Sequence, residues 1–255
     1  FKQKTAYEIS LGLVGSEMCI RDRLLMSPPT LKTPIIVVNF KAYREGVGEG
    51  AVKLARVAER VSAECDVCVA VAVQPTDIYR VVNETSIPVL AQHIDPVEYG
   101  SYTGHILPEA VRDAGAVGTL INHSERRVSL DFIARAVARA REVGLTTIVC
   151  ADVVEACRKV AETGPDMVAI EPPELIGTGI AVSKAKPEVI SGAVEAVKSV
   201  RPEVSVLCGA GITSGEDVEA ALRLGAEGVL VASGVVRAEN PYKALLSMAK
   251  AIVRI

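Results

Sequence analysis

Eight short runs of apolar, mostly β-branched residues recur along this chain, and longer amphipathic stretches separate them. The runs cover positions 35–40, 67–73, 87–91, 117–121, 146–150, 167–170, 204–207 and 228–231. Within each run the apolar residues are nearly continuous. An antiparallel strand with one wet face would alternate, so these read as parallel strands covered on both sides. Between them, 50–64 places Val52, Leu54, Ala55, Ala58 and Val61 mostly on one face of a helix. The stretch 129–143 opens on Ser129, a good N-cap, and Gly144 follows it. A third helix spans 215–224 and is followed by Gly225. The strands recur roughly every 27 residues, about the size of one βα unit. Eight such units with no linker between them predict a single-domain α/β fold, a closed eight-stranded parallel (β/α)8 barrel. An open doubly wound sheet is the rival. It would carry its glycine-rich loop after the first strand, whereas Asn39-Phe40-Lys41 stands there.

Composition narrows the partners. The 28 basic and 31 acidic side chains leave a net charge of −3, with no basic excess to attract nucleic acid or an anionic membrane. Nine aromatics and no Trp give no platform for base stacking. The longest apolar run, 67–73, is far shorter than the ~20 residues a spanning helix needs. Six scattered cysteines read as reduced thiols in a cytoplasmic protein. Positions 1–25 lack any clean period and resemble a translated sequencing-adapter artefact. They are expected to be a non-native or disordered extension, with the barrel over 26–255. Met26 is the expected start.

In a barrel of this kind chemistry collects at the C-terminal ends of the strands. Asn39 and Lys41 follow the first, and Asn122-His123-Ser124-Glu125-Arg126-Arg127 follows the fourth. Glu171 and a Pro-Pro…Gly-Thr-Gly loop follow the sixth, Gly209-Ala210-Gly211 the seventh, and Ala232-Ser233-Gly234 the eighth. A carboxylate and an imidazole suit proton transfer. Glycine-rich turns leave backbone N–H groups free for a phosphate, and lysine adds positive charge. Placement alone therefore predicts acid–base chemistry on a small phosphorylated substrate.

Asn39-Phe40-Lys41, the segment 123–127, and Glu171-Pro172 with Ile176-Gly177-Thr178-Gly179 resemble the three signature segments of the triosephosphate isomerase family. They occur in that family's order and at the matching strands. The resemblance runs from about Pro34 to the C-terminus. The segments 172–176 and 206–212 are similar to its compact archaeal branch. It implies an isomerase of glycolysis and gluconeogenesis that interconverts dihydroxyacetone phosphate and D-glyceraldehyde 3-phosphate through an enediolate, without cofactor or metal. Glu171 would be the base, and His123 would polarise the carbonyl as a neutral imidazole, a pairing for which that family is the standard example. Lys41 would stabilise charge and bind phosphate, Glu125 would hold Lys41, and Asn39 would contact substrate. Ile176, Gly211, Ala232 and Ser233 would complete the substrate site. Pro172, Pro173, Gly177, Thr178 and Gly179 would form a lid. A helical turn opening at Ser124 would keep His123 neutral. The loop 100–104 would carry Thr103 into a neighbouring subunit, in a homodimer or homotetramer. Two features depart from the commoner family pattern: Asn122 stands where Gly is usual, and 209–213 lacks a Gly-Gly-Ser tail.

Other residues read as structural. His93 follows the third strand and is expected to pack, and His105 merely flanks the 100–104 loop. Cys65 and Cys68 have metal-like spacing but no second pair, and Lys184 and Lys186 read as solvated. Two rival functions remain at this level: another phosphosugar-processing barrel enzyme, or a non-catalytic phosphosugar-binding barrel.

Overall fold

The computed structural model describes residues 30–172, 185–209 and 211–254. The extension at 1–25 therefore lies outside the described residues. So do Lys184 and the lid positions Pro173, Ile176, Gly177, Thr178 and Gly179.

Eight parallel strands close into a barrel in sequence order. They are β1 (Ile35–Asn39), β2 (Cys68–Val73), β3 (Val89–Ala91), β4 (Gly118–Ile121), β5 (Thr146–Ala151), β6 (Met167–Ile170), β7 (Ser205–Cys208) and β8 (Gly228–Val231). Each expected strand is present, with ends shifted by at most two residues. The seam joins the first strand to the last, in the register Ile35↔Gly228 through Val38↔Val231.

The continuous apolar runs have the cause the sequence suggested. Alternate residues point inward and outward, and both directions are dry. Ile35, Val37, Ala70, Ala72, Leu90, Leu120, Ile148, Ala169 and Leu207 fill the barrel. Ile36, Val38, Val69, Val71, Val149, Val168 and Val206 face the surrounding helices instead.

Those helices follow the strands. Helix α1 (Glu49–Cys65) buries Val52, Leu54, Ala55, Ala58 and Val61, and stops at Asp66 in a left-handed conformation. After β2 comes α2 (Ile78–Glu84), and after β3 comes α3 (Pro108–Asp113). Helix α4 (Leu130–Glu142) starts where Ser129 Oγ accepts the Phe132 N–H at 3.2 Å, a cap worth about 1 kcal/mol. Then follow α5 (Val154–Glu162) and α6 (Pro187–Val200). Helix α7 (Gly215–Arg223) opens on a capping box in which Ser214 and Asp217 exchange side-chain and backbone bonds. The short α8 (Ser233–Val236) sits directly on the end of β8, and α9 (Pro241–Val253) closes the ring. Among the described residues no helix is long and apolar enough to cross a membrane.

Candidate active site

The strand ends bring the expected residues to one rim. A cavity of about 270 Å³ opens there. Asn39, Lys41, His123, Glu125 and Glu171 line one part of it, and Gly211, Ala232 and Ser233 another. Gly234 and Thr213 of the two glycine-rich loops line it as well, and so do Leu230 and Tyr43, which the sequence did not single out.

Glu171 follows β6 and is buried. Its Oε1 lies 3.5 Å from His123 Nε2. Its Oε2 is buried with no hydrogen-bond partner among the described residues. Burial alone would push this carboxyl up. Hydrogen bonding from His123 and the Cys150 thiol, with the Lys41 ammonium nearby, outweighs it and holds the group below its ordinary range. Its room depends on Gly209. A Cβ there would lie 2.5 Å from Glu171 Cγ and 3.0 Å from the Ile170 carbonyl oxygen.

His123 is fixed by a turn rather than by a helix. Arg126 N–H donates to the His123 carbonyl at 2.7 Å, closing the turn. Glu125 N–H donates to His123 Nδ1 at 3.2 Å. An Nδ1 that accepts carries no proton, so the neutral ring bears its hydrogen on Nε2, toward Glu171. This corrects the helical turn expected at Ser124. The chain stays a loop because Asn122 Oδ1 takes the Val128 N–H at 3.0 Å, and helix starts only after the Ser129 cap. Asn122 also explains its own place in the sequence. Its φ is +59°, in the left-handed region that Gly and Asn tolerate best, and its Nδ2 donates to the Cys150 carbonyl at 2.8 Å.

Lys41 Nζ meets Glu125 Oε1 at 2.9 Å, so the expected pairing is present. Asn39 Oδ1 accepts the Lys41 N–H at 2.9 Å. Across the cavity the loop after β7 is pinned by Asp217, whose Oδ2 accepts the Thr213 and Ser214 N–H groups, each at 3.0 Å. Gly234 lets the β8 loop approach it, since a Cβ there would meet the Ile212 carbonyl oxygen at 2.7 Å. Gly211 (φ +71°), Ala232 and Ser233 then line the same space. Pro172 is buried at the end of a described segment.

The residues read as structural behave so. His93 is buried, stacks on Phe132 and lies 3.4 Å from Asp95. Burial and Arg126 hold its pKa down. Cys150, Cys157 and Cys208 are buried free thiols, and burial pushes Cys157 up to about 12. His105 is exposed and edges onto Tyr102. Cys65 and Cys68 are half-buried and free. Among the described residues no group of three or more His, Cys, Asp or Glu side chains could hold a metal ion.

The family model for triosephosphate isomerase matches residues 34–252. The triosephosphate isomerase of Methanobacterium bryantii is 54% identical over 221 residues, covering 87% of this chain and 98% of that protein. That of Methanothermobacter thermautotrophicus is 55% identical, covering 85% and 94%. That of Methanocaldococcus jannaschii is 52% identical, covering 86% and 100%. A closed barrel, a buried carboxyl against an imidazole and this match over nearly the whole folded region agree: the chain belongs to the triosephosphate isomerase family.

Proposed function

We infer that the chain interconverts dihydroxyacetone phosphate and D-glyceraldehyde 3-phosphate. The observation that carries this reading is the buried Glu171 carboxyl facing the Nε2 edge of His123 at 3.5 Å. In the proposed cycle, Glu171 takes a proton from the carbon beside the substrate carbonyl. The electron pair of that C–H bond moves into a C–C double bond, and the carbonyl oxygen becomes the enediolate oxygen. His123 Nε2–H donates a hydrogen bond to that oxygen as its charge grows. His123 Nε2 then gives its proton to that oxygen and takes up the proton of the adjacent hydroxyl, Glu171 returns the carbon proton to the former carbonyl carbon, and the carbonyl re-forms one position along. Every step moves protons and electron pairs among substrate, Glu171 and His123, so no redox equivalent is consumed.

The remaining residues fit this scheme. Lys41, held by Glu125, faces the growing negative charge. Asn39 contacts substrate from β1. The main chain at Gly211, Ala232 and Ser233, with Ile176 of the lid, receives the phosphate, as the loops after the seventh and eighth strands of such barrels often do. Pro172, Pro173, Gly177, Thr178 and Gly179 form a lid that excludes water and protects the enediolate. The rivals are less favoured, since a Schiff-base enzyme needs Lys where Glu171 stands.

We further propose a cytoplasmic homo-oligomer of the compact archaeal type, a dimer or tetramer. Thr103 and its neighbours in the loop 98–105 are exposed, Tyr99 at 72%. A second cavity of about 220 Å³ beside Lys41 offers such a loop a seat.

A coupled isomerase assay on Glu171→Asp tests the central assignment. Withdrawing the carboxylate by one methylene is expected to cut kcat by about 100-fold or more. Inhibition by glycerol 3-phosphate, which cannot isomerise, should hold. Native turnover in the variant would remove Glu171 from the role.

A further inference from the structure

Lys41 has a main chain that a lysine seldom adopts, with φ at +50° in the left-handed region. The strain there is of order 1 kcal/mol, so neighbours must impose the conformation. Two side-chain amides do so, from the ends of the next two strands. Gln74 follows β2 and Gln92 follows β3. The Nε2 of each donates to the Lys41 carbonyl oxygen, both at 3.0 Å. Gln92 Nε2 also donates to the Ala72 carbonyl at 3.1 Å, and Gln74 Nε2 to Gln92 Oε1 at 3.0 Å. Each amide has two hydrogens, and each hydrogen has an acceptor. On its other side Lys41 gives its own N–H to Asn39 Oδ1 at 2.9 Å. With both peptide groups held, the direction of the Cα–Cβ bond is set, and the ammonium reaches the cavity. Glutamine alone meets these demands. Glutamate offers carbonyls no hydrogen, asparagine is a methylene short, and methionine matches the length without a donor.

We propose that Gln74 and Gln92 are positioning residues for the isomerisation, locking the main chain of Lys41 so that its ammonium is presented to the substrate's phosphate and enediolate oxygens. The proposal rests on the role given to Lys41 above.

The test is a cycle of variants. Gln92→Met and Gln74→Met are each made in the native protein and in Lys41→Met. Turnover, KM, melting temperature and calorimetric binding of glycerol 3-phosphate are then measured. In the native background each glutamine variant is expected to lose roughly 10- to 100-fold in kcat/KM. Glycerol 3-phosphate should bind more weakly, with melting lowered by only a few degrees. In the Lys41→Met background the same change should cost less than about twofold, because the group being aimed is gone. Equal losses in both backgrounds would overturn the proposal, and so would native kinetics in both glutamine variants. If Gln92→Met does not fold, Gln74→Met decides alone, since it removes one of the two donors to Lys41. If Lys41→Met itself binds and turns over like the native enzyme, the role of Lys41 fails and the positioning fails with it. That result is distinct from the first two.

Discussion

A missing side chain at Gly209 sets where Glu171 can stand. Because the Ile170 carbonyl oxygen beside it belongs to a strand and cannot yield, a methyl at position 209 must displace Glu171. Gly209→Ala is therefore expected to lower kcat by about 100-fold while glycerol 3-phosphate binding stays within a few-fold of native. Its melting temperature should fall, and adding Glu171→Ala should relieve most of that fall by removing the colliding Cγ. A destabilisation that persists in this double variant would place the clash at the backbone instead. At this scale the sequence was readable wherever a residue's chain neighbours mark it. Glu171 stands before two prolines, His123 before Ser-Glu-Arg-Arg, and Lys41 two places after Asn39. Gln74 and Gln92 carry no such mark. An amide at a strand end looks like any polar residue until the Lys41 carbonyl, past the end of β1, turns out to lie 3.0 Å away. Leu230 was hidden for another reason. It belongs to an apolar strand, and only the end of the barrel decides that it borders the cavity.

Among the elements, the strands were the easiest to read, because burial on both faces writes an unbroken apolar run. Helices α1, α4 and α7 were legible from their faces and caps. The four residues of α8 were not, being too short to show a period. The chain after His123 makes a single turn rather than opening a helix at Ser124, because Asn122 acts through its side chain on Val128. The loop after β7 shows how an element holds a site it does not touch. Asp217 sits in the first turn of α7, 2% exposed, and its Oδ2 gathers the Thr213 N–H, the Thr213 hydroxyl and the Ser214 N–H. Asp217→Ala strands these donors, and about 1–3 kcal/mol of stability is expected to go with them. Thermal unfolding checks that loss. Since the freed loop includes the bend at Gly211, KM should rise several-fold and kcat should change less. An unaltered KM would detach this loop from phosphate binding.

For the whole molecule, the 98–105 segment is exposed along its length. At its base Asp95 accepts the Ile106 N–H at 2.7 Å and lies 3.7 Å from Arg126, two residues past Ser124 in the His123 turn. If the segment seats in the cavity beside a neighbour's Lys41, replacing 99–104 by a short turn should yield monomers in sedimentation velocity. Activity is expected to fall with assembly, because Lys41 and Gln92 would then face water. Unchanged assembly would remove the segment from the interface.

The seam between Ile35 and Gly228 governs when catalysis can begin in the life of the chain. Lys41 lies just past the first strand and Ser233 just past the last, so these two residues of one cavity are translated almost two hundred residues apart. A nascent polypeptide already carries Lys41, His123 and Glu171 while Gly211, Ala232 and Ser233 are still to be made. Parallel closure between distant segments is slow. If those three residues seat the phosphate as proposed, an unfinished chain on the ribosome lacks that seat, and its carboxylate has no held substrate to act on.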